Sequence, residues 1–185
     1  MTNISITGHA DIERCIFKKP KQEGQIYDKE AYDEVYKNIE KVINKLFPDK
    51  DITLISGMAR GADEIFAKFA INNNLPLILS IPGSVKWHKD RGLSRGIRAQ
   101  AIDYEDILKY KNIVKIYEVN KNYNGKMYDY VNFARNQQMV DISDKVLSYR
   151  IYQSSGTDNG IKVATEAKKY IGNIPDIAKR LSIKL

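Results

Sequence analysis

A chain of 185 residues, 43% hydrophobic and 29% charged, has the length and composition of one soluble domain, residues 1–185, with a packed core. Its 30 Lys and Arg against 23 Asp and Glu give a formal charge of +7, yet the cations are mostly lysines scattered among acids, with Lys18-Lys19-Pro20-Lys21 the only compact block, so a solvated basic surface is favoured over a dedicated nucleic-acid face. The single cysteine, Cys15, excludes a disulfide framework or a cysteine zinc cluster, no apolar run approaches the roughly 20 residues of a membrane span, and Met1-Thr2-Asn3 opens no signal peptide, which together point to the cytoplasm.

Residues 3–6 read as a short first strand, with Thr7-Gly8-His9 at its carboxyl end, where open parallel sheets bind ligands. Thr7 offers a hydroxyl, Gly8 a close backbone and His9 a titratable ring; the alternative for His9 is a loop histidine with no chemical task. Residues 10–26 read as a rim loop. Over 27–47, Tyr32, Val35, Tyr36, Ile39, Val42, Ile43 and Leu46 recur at three- and four-residue steps, a helix packing on the sheet.

The apolar run 52–55 leads into Ser56-Gly57-Met58-Ala59-Arg60-Gly61-Ala62-Asp63 and an amphipathic stretch to residue 72: buried strand, glycine turn, helix. Gly57 and Gly61 permit a sharp bend and the close approach of a ligand, and the helix amino terminus behind them has the physics of a phosphate or carboxylate cradle. Asp63 and Glu64 complement the helix dipole from its first turn; a catalytic role requires them to face the cleft. Residues 75–81 form a continuous apolar run, a central parallel strand, ending at Pro82-Gly83. Trp87 either stacks on a base or packs, and the basic stretch 89–98, with Arg91, Arg95 and Arg98, is either a phosphate clamp or a mobile loop.

A short helix (104–111), a strand (113–117), a polar loop (120–127), a helix (131–143) with Arg135-Asn136 near its start, and a strand (145–149) follow. Ser154-Ser155-Gly156-Thr157 reads as a second small-residue turn, residues 160–170 as a helix and 173–177 as a last edge strand. Strand and helix alternate throughout, which demands a parallel sheet. The expected fold is α/β, a Rossmann-like three-layer sandwich with a mainly parallel sheet of five to six strands. Turns 7–9, 56–61, 82–83 and 154–157 then share one rim and frame a nucleotide-sized cleft.

Taken together, Ile6-Thr7-Gly8-His9, Gly57-Met58-Ala59-Arg60-Gly61-Ala62-Asp63, Ile81-Pro82 with Trp87, Tyr104-x-x-Ile107-Leu108, Tyr130, Arg135-Asn136-Gln137-Gln138-Met139-Val140-Asp141-Ile142-Ser143-Asp144 and Gly156-Thr157 resemble the YpsA-like branch (the DUF1273 group) of the SLOG superfamily, over about residues 3–177. SLOG also takes in the DprA/Smf DNA-processing proteins and the LOG phosphoribohydrolases. The resemblance implies a nucleotide- or nucleotide-derivative-binding domain, with Thr7, Gly8, His9, Ser56, Gly57, Met58, Gly61, Asp63, Arg135, Asn136, Gly156 and Thr157 as binding positions. Arg60, Pro82, Trp87 and Ser155, on the same rim turns, complete the candidate set. Arg135 can fork onto a phosphate or carboxylate, or form a structural salt bridge with Asp141 or Asp144.

The LOG enzymes carry Pro-Gly-Gly-x-Gly-Thr followed closely by a catalytic Glu; here the stretch is Ser154-Ser155-Gly156-Thr157-Asp158-Asn159-Gly160, without the double glycine or that Glu. This argues against LOG-type hydrolysis more than against binding. Three functions compete. The first is a nucleotide-ligand binder that senses or sequesters a nucleotide-derived small molecule. The second is a hydrolase of an N-glycosidic or phosphate bond using Asp63, Glu64 or Asp158. The third is a DprA-like binder of single-stranded DNA. A homo-oligomer is expected of such a family. His9 and His88 are the only histidines, so no metal cluster is expected, and a divalent ion held through ligand phosphates is the one cofactor left open.

Overall fold

The structure is a computed structural model, and it describes residues 1–10, 12, 29–94, 104–125 and 129–183. Six apolar runs form the strands β1 (Thr2–Gly8), β2 (Ile52–Ser56), β3 (Leu77–Pro82), β4 (Ile113–Val119), β5 (Lys145–Tyr149) and β6 (Tyr170–Asn173). They make one all-parallel sheet in the order β4-β3-β2-β1-β5-β6. Every residue of β2 and β3 is buried, as continuous apolar strands must be when helices cover both faces.

The helices among the described residues are α1 (Lys29–Leu46), α2 (Ala62–Asn72), α3 (Val85–Ser94), α4 (Tyr104–Leu108), α5 (Asp129–Ile142), α6 (Ser155–Glu166) and α7 (Ile174–Ile183). Helices α1, α2 and α7 pack together on one face; α5 and α6 pair on the other. The pleat sorts β1 accordingly. Ile4 and Ile6 point into the main core with Val35, Ile39, Phe66 and Phe69. Ser5 and Thr7 point the other way and line a small cavity with Asn136 and Gly160. Met139 on α5 covers Ile55 and Ile78, and Val140 meets Val146 and Ala164. The apolar area these side chains remove from water drives the three layers together, about 1.5–3 kcal/mol for each fully buried Ile, Leu or Phe.

The expected sandwich is present, with six strands, all parallel. Three local expectations change. The stretch after β3 is helical from Val85 to Ser94 rather than a loop; Arg95, Arg98 and the Lys18–Lys21 block lie outside the described residues. Helix α6 begins at Ser155, five residues ahead of the expected start, because the Asp158 carboxylate accepts the Ser154 N–H at 3.0 Å and closes a first turn. The last strand is Tyr170–Asn173, and the expected edge strand after it is helix α7, which opens with Ile174, Pro175 and Asp176. Proline is preorganised for a first helical turn, and an acid there complements the dipole. No helix among the described residues is long and apolar enough to cross a membrane.

Candidate nucleotide crevice

Parallel pairing puts every strand's carboxyl end on one edge. The chain steps from β1 through β2 and β3 to β4 in one direction, then returns to lay β5 on the other side of β1. The next described helices after β1 and β5, α1 and α6, lie on opposite faces, which opens a crevice between the carboxyl ends of the two strands.

His9, at the end of β1, is 1% exposed. Its Nε2 accepts the N–H groups of Ile151 at 2.9 Å and Tyr152 at 3.2 Å. A ring nitrogen that accepts two N–H bonds carries no proton, so the imidazole is neutral, with its hydrogen on Nδ1 facing Thr157 Oγ1 at 3.5 Å. The ring stacks on Tyr152 with centroids 4.0 Å apart. His9 is thus a clamp on the turn between β5 and α6. Its carbonyl also accepts the Ala62 N–H at 3.1 Å, which ties the turn after β1 to the start of α2.

At the start of α6, Asp158 accepts from Ser154 and pairs with Arg150. Burial pushes the Asp158 carboxyl up, but the Arg150 guanidinium and the Ser154 N–H outweigh it and hold it below the usual carboxylate range. Above Gly156 there is open space, with nothing within 4 Å of where a Cβ would stand.

The turn after β2 is closed more tightly. Ser56 Oγ accepts the Met58 N–H at 3.1 Å and donates to the Asp63 carbonyl at 2.7 Å, and Met58 takes a left-handed φ of 55°. The Glu64 N–H donates to the Ala59 carbonyl, and the Glu64 carboxylate accepts from Gly61 N–H at 3.3 Å and from the Tyr32 hydroxyl at 2.9 Å. Leading donors of α2 are therefore used inside the protein. So is the clearance at both glycines: a Cβ on Gly57 would meet Arg135 Cζ and Asp63 Oδ2 at 2.6 Å, and one on Gly61 would meet the backbone of His9 and Ala10.

Arg135 Nη1 donates to the Gly57 carbonyl at 2.7 Å and to Asp63 Oδ2 at 2.8 Å, while its buried Nε has no partner. Burial pushes the Asp63 carboxyl up, against the pull of Arg135 and the Ala59 N–H. Arg135 lies nearly two turns into α5 rather than near its start. Its ion-pair partner is Asp63; Asp141 instead accepts from Gln137, and Asp144 accepts the Asn3 N–H. The next residue, Asn136, turns the other way and donates to the Gly156 carbonyl at 3.0 Å and to Asn159 Oδ1 at 3.1 Å. Two consecutive residues of α5 thus hold the turns on either side of β1.

Residues 29–183 match the family model of DNA recombination-mediator protein A. The chain belongs to the DNA recombination-mediator protein A family. Among solved structures it is similar to DNA processing protein A (DprA) from Streptococcus pneumoniae, with 17% identity, a TM-score of 0.60, and 92% of this chain aligned with 50% of that one. It therefore spans about half the length of that relative. It is also similar to TM1055, with 12% identity, a TM-score of 0.52, and 91% of this chain aligned with 71% of that one. DprA from Helicobacter pylori, whose structure describes a single-stranded DNA binding mode, aligns at 16% identity and a TM-score of 0.49, over 99% of this chain and 81% of that one. Among curated proteins none matches in sequence. The family match agrees with a Rossmann-like member of the SLOG superfamily.

For this family member, the structure gathers Thr7, Gly8, His9, Asn136, Ser155, Gly156 and Thr157 around the β1–β5 crevice, and Ser56, Gly57, Met58, Arg60, Gly61, Asp63 and Arg135 around the adjacent turn after β2. Asp63, Glu64 and Asp158 each hold internal hydrogen bonds. Pro82 is buried at the end of β3. Trp87 packs on Gly83, and its Nε1–H donates to the Gly125 carbonyl at 3.1 Å. Tyr152, which stacks on His9, has no sequence signal beyond its place just after β5.

His88, beside Trp87 on α3, meets the Tyr104 hydroxyl at 3.0 Å. Burial, helped by the Arg135 guanidinium, lowers its pKa from 6.5 to about 4. The folded state then binds this proton less readily than the unfolded chain. The stability so contributed is complete above pH 6.5 and is lost as pH falls toward 4, by about 2 kcal/mol for this partly exposed ring. Denaturant melts between about pH 7 and 4.5 are expected to show a smaller acid loss in His88→Gln than in wild type. Superimposable pH profiles would contradict the assignment.

Proposed function

We propose that the chain binds single-stranded DNA along the carboxyl edge of its sheet, with one nucleotide seated in the β1–β5 crevice. The observation that carries this reading is the switch in strand order at β1, which opens a crevice beside the unobstructed Gly156 at the amino end of α6. A phosphate suits the positive end of that helix dipole, with the Thr157 hydroxyl one residue on. The family description supplies DNA as the polymer. A crevice between two βα turns accepts one strand and an unpaired base more readily than a duplex, whose bases are stacked and paired. The Arg135–Asp144 string supports placing the chain in the YpsA-like branch.

A second reading is a free nucleotide-derived small molecule, sensed or sequestered at the same place. The depth of the crevice favours it, since His9, Thr157 and Asn136 are all at most 5% exposed. A homo-oligomer is part of both readings.

Fluorescence anisotropy of a labelled thymidine oligomer against a matched duplex, across a salt series, is the test. The single strand should bind more tightly, with log K falling linearly in log salt. Gly156→Asp places a carboxylate at a helix amino terminus, on a Cβ that would meet nothing within 4 Å. It is expected to weaken the single strand about tenfold at unchanged melting temperature, through repulsion of the phosphate. If nucleotides raise the melting temperature and the oligomer does not bind, the small-molecule reading replaces the first.

A further inference from the structure

At the β3–β4 end of the same edge, three aromatic rings stand in a row that the crevice does not use. Trp87 sits on α3 just past β3, Tyr123 lies in the loop after β4, and Tyr130 is in the first turn of α5. Trp87 and Tyr123 meet edge-to-face at 5.2 Å, and Tyr123 and Tyr130 do the same at 5.7 Å. Trp87 is buried and anchored through its Nε1–H. Tyr123 is half-buried between the two, and Tyr130 remains 55% exposed. Tyr130 is backed by Tyr123, which is itself packed on Trp87, so part of its conformational freedom is lost before any ligand arrives. That lowers the entropic cost of stacking on it.

Two exposed cations flank the row. Lys86 and Lys121, on the segments that carry Trp87 and Tyr123, are well exposed; their pairing with Asp90 and Glu118 is of the weak solvent-screened kind and leaves them available to a polyanion. Tyr130 also shares α5 with Arg135 and Asn136, so ring and crevice are fixed to one rigid element. The lateral offset is about 10–15 Å, counted as two to three strand spacings from β3 to the β1–β5 gap.

We propose that Tyr130, backed by Tyr123 and Trp87, is a base-stacking platform for single-stranded DNA passing from the crevice toward β4. This rests on the single-strand reading above. The combination of an exposed ring with flanking cations is what a strand of stacked bases and phosphates recognises, largely without regard to sequence.

Trp87 is the only tryptophan, so its emission reports on this cluster alone. A short thymidine oligomer should change Trp87 emission on binding, and an abasic oligomer of equal length should bind without that change. Tyr130→Ala should weaken the thymidine oligomer about five- to a hundredfold and leave abasic binding within about twofold, whereas Tyr130→Phe keeps both. Wild-type affinity for thymidine in Tyr130→Ala overturns the platform and leaves the crevice reading standing. Equal weakening of both oligomers also overturns it, because the loss would then not be of stacking. Failure of the wild type to bind either oligomer overturns platform and crevice together.

Discussion

Replacing Arg135 by Ala is expected to lower stability by about 3–5 kcal/mol at neutral pH, the cost of leaving a buried carboxylate without its partner. Asp63 is 3% exposed and takes its ion pair from Arg135. Its carboxyl, already raised by burial, then rises further. The folded variant holds that proton where the unfolded chain, titrating near 3.8, releases it. The deficit should therefore be smaller at about pH 5 than at about pH 7, growing as pH rises toward the raised value. Removing both charges in Arg135→Met/Asp63→Leu should recover at least half of the loss, since paired removal leaves no orphan. Gly57→Ala belongs to the same cycle. The far end of an arginine can usually yield to a new methyl group, but this one is pinned between a carbonyl and a carboxylate. The methyl group evicts it, so Gly57→Ala should cost about 2–4 kcal/mol alone and much less on top of Arg135→Ala. Urea melts of wild type and the four variants at two pH values decide it; additive, pH-independent losses below about 1 kcal/mol would sink the account.

Gly61→Ala should be at least as damaging, for a different reason. Gly61 has φ 87° and ψ −123°, a region essentially closed to side-chain-bearing residues. Its missing Cβ faces the carbonyls of His9 and Ala10, fixed backbone that cannot rotate away as a side chain would. Strain and overpacking together amount to about 3–5 kcal/mol, a fall in melting temperature of about 10 °C for a chain of this size. A shift of only a degree or two would mean that the turns after β1 and β2 are not packed against each other as described.

The layers of this fold are legible in the sequence because burial on both faces leaves a local trace. The apolar run into β3 and the three- and four-residue repeat of Val35, Ile39, Val42 and Ile43 each announce one element without help from the rest of the chain. The glycine turn is legible as a turn, but what fills it is not. Arg135 comes from 78 residues away, and no spacing near Gly57 announces that a guanidinium occupies the clearance there. The start of α6 is hidden for a similar reason. Ser154, Ser155 and Gly156 are turn residues by propensity, and the Asp158 carboxylate, which accepts the Ser154 N–H and pairs with Arg150, commits them to a helix. Trp87 is ambiguous until Gly83 and Gly125 are seen against it.

The paired grip of Arg135 and Asn136 makes helical phase the quantity that matters in α5. Adjacent helical residues point about 100° apart, and that angle lets one helix reach over both sides of β1 at once. A deletion of a single residue anywhere between Asp129 and Arg135 would turn both side chains away together, while leaving the composition and amphipathic character of the helix almost unchanged. The crevice is in this sense gauged by the pitch of an α-helix. Its width is inherited from backbone geometry, and the two loops that form its lips follow.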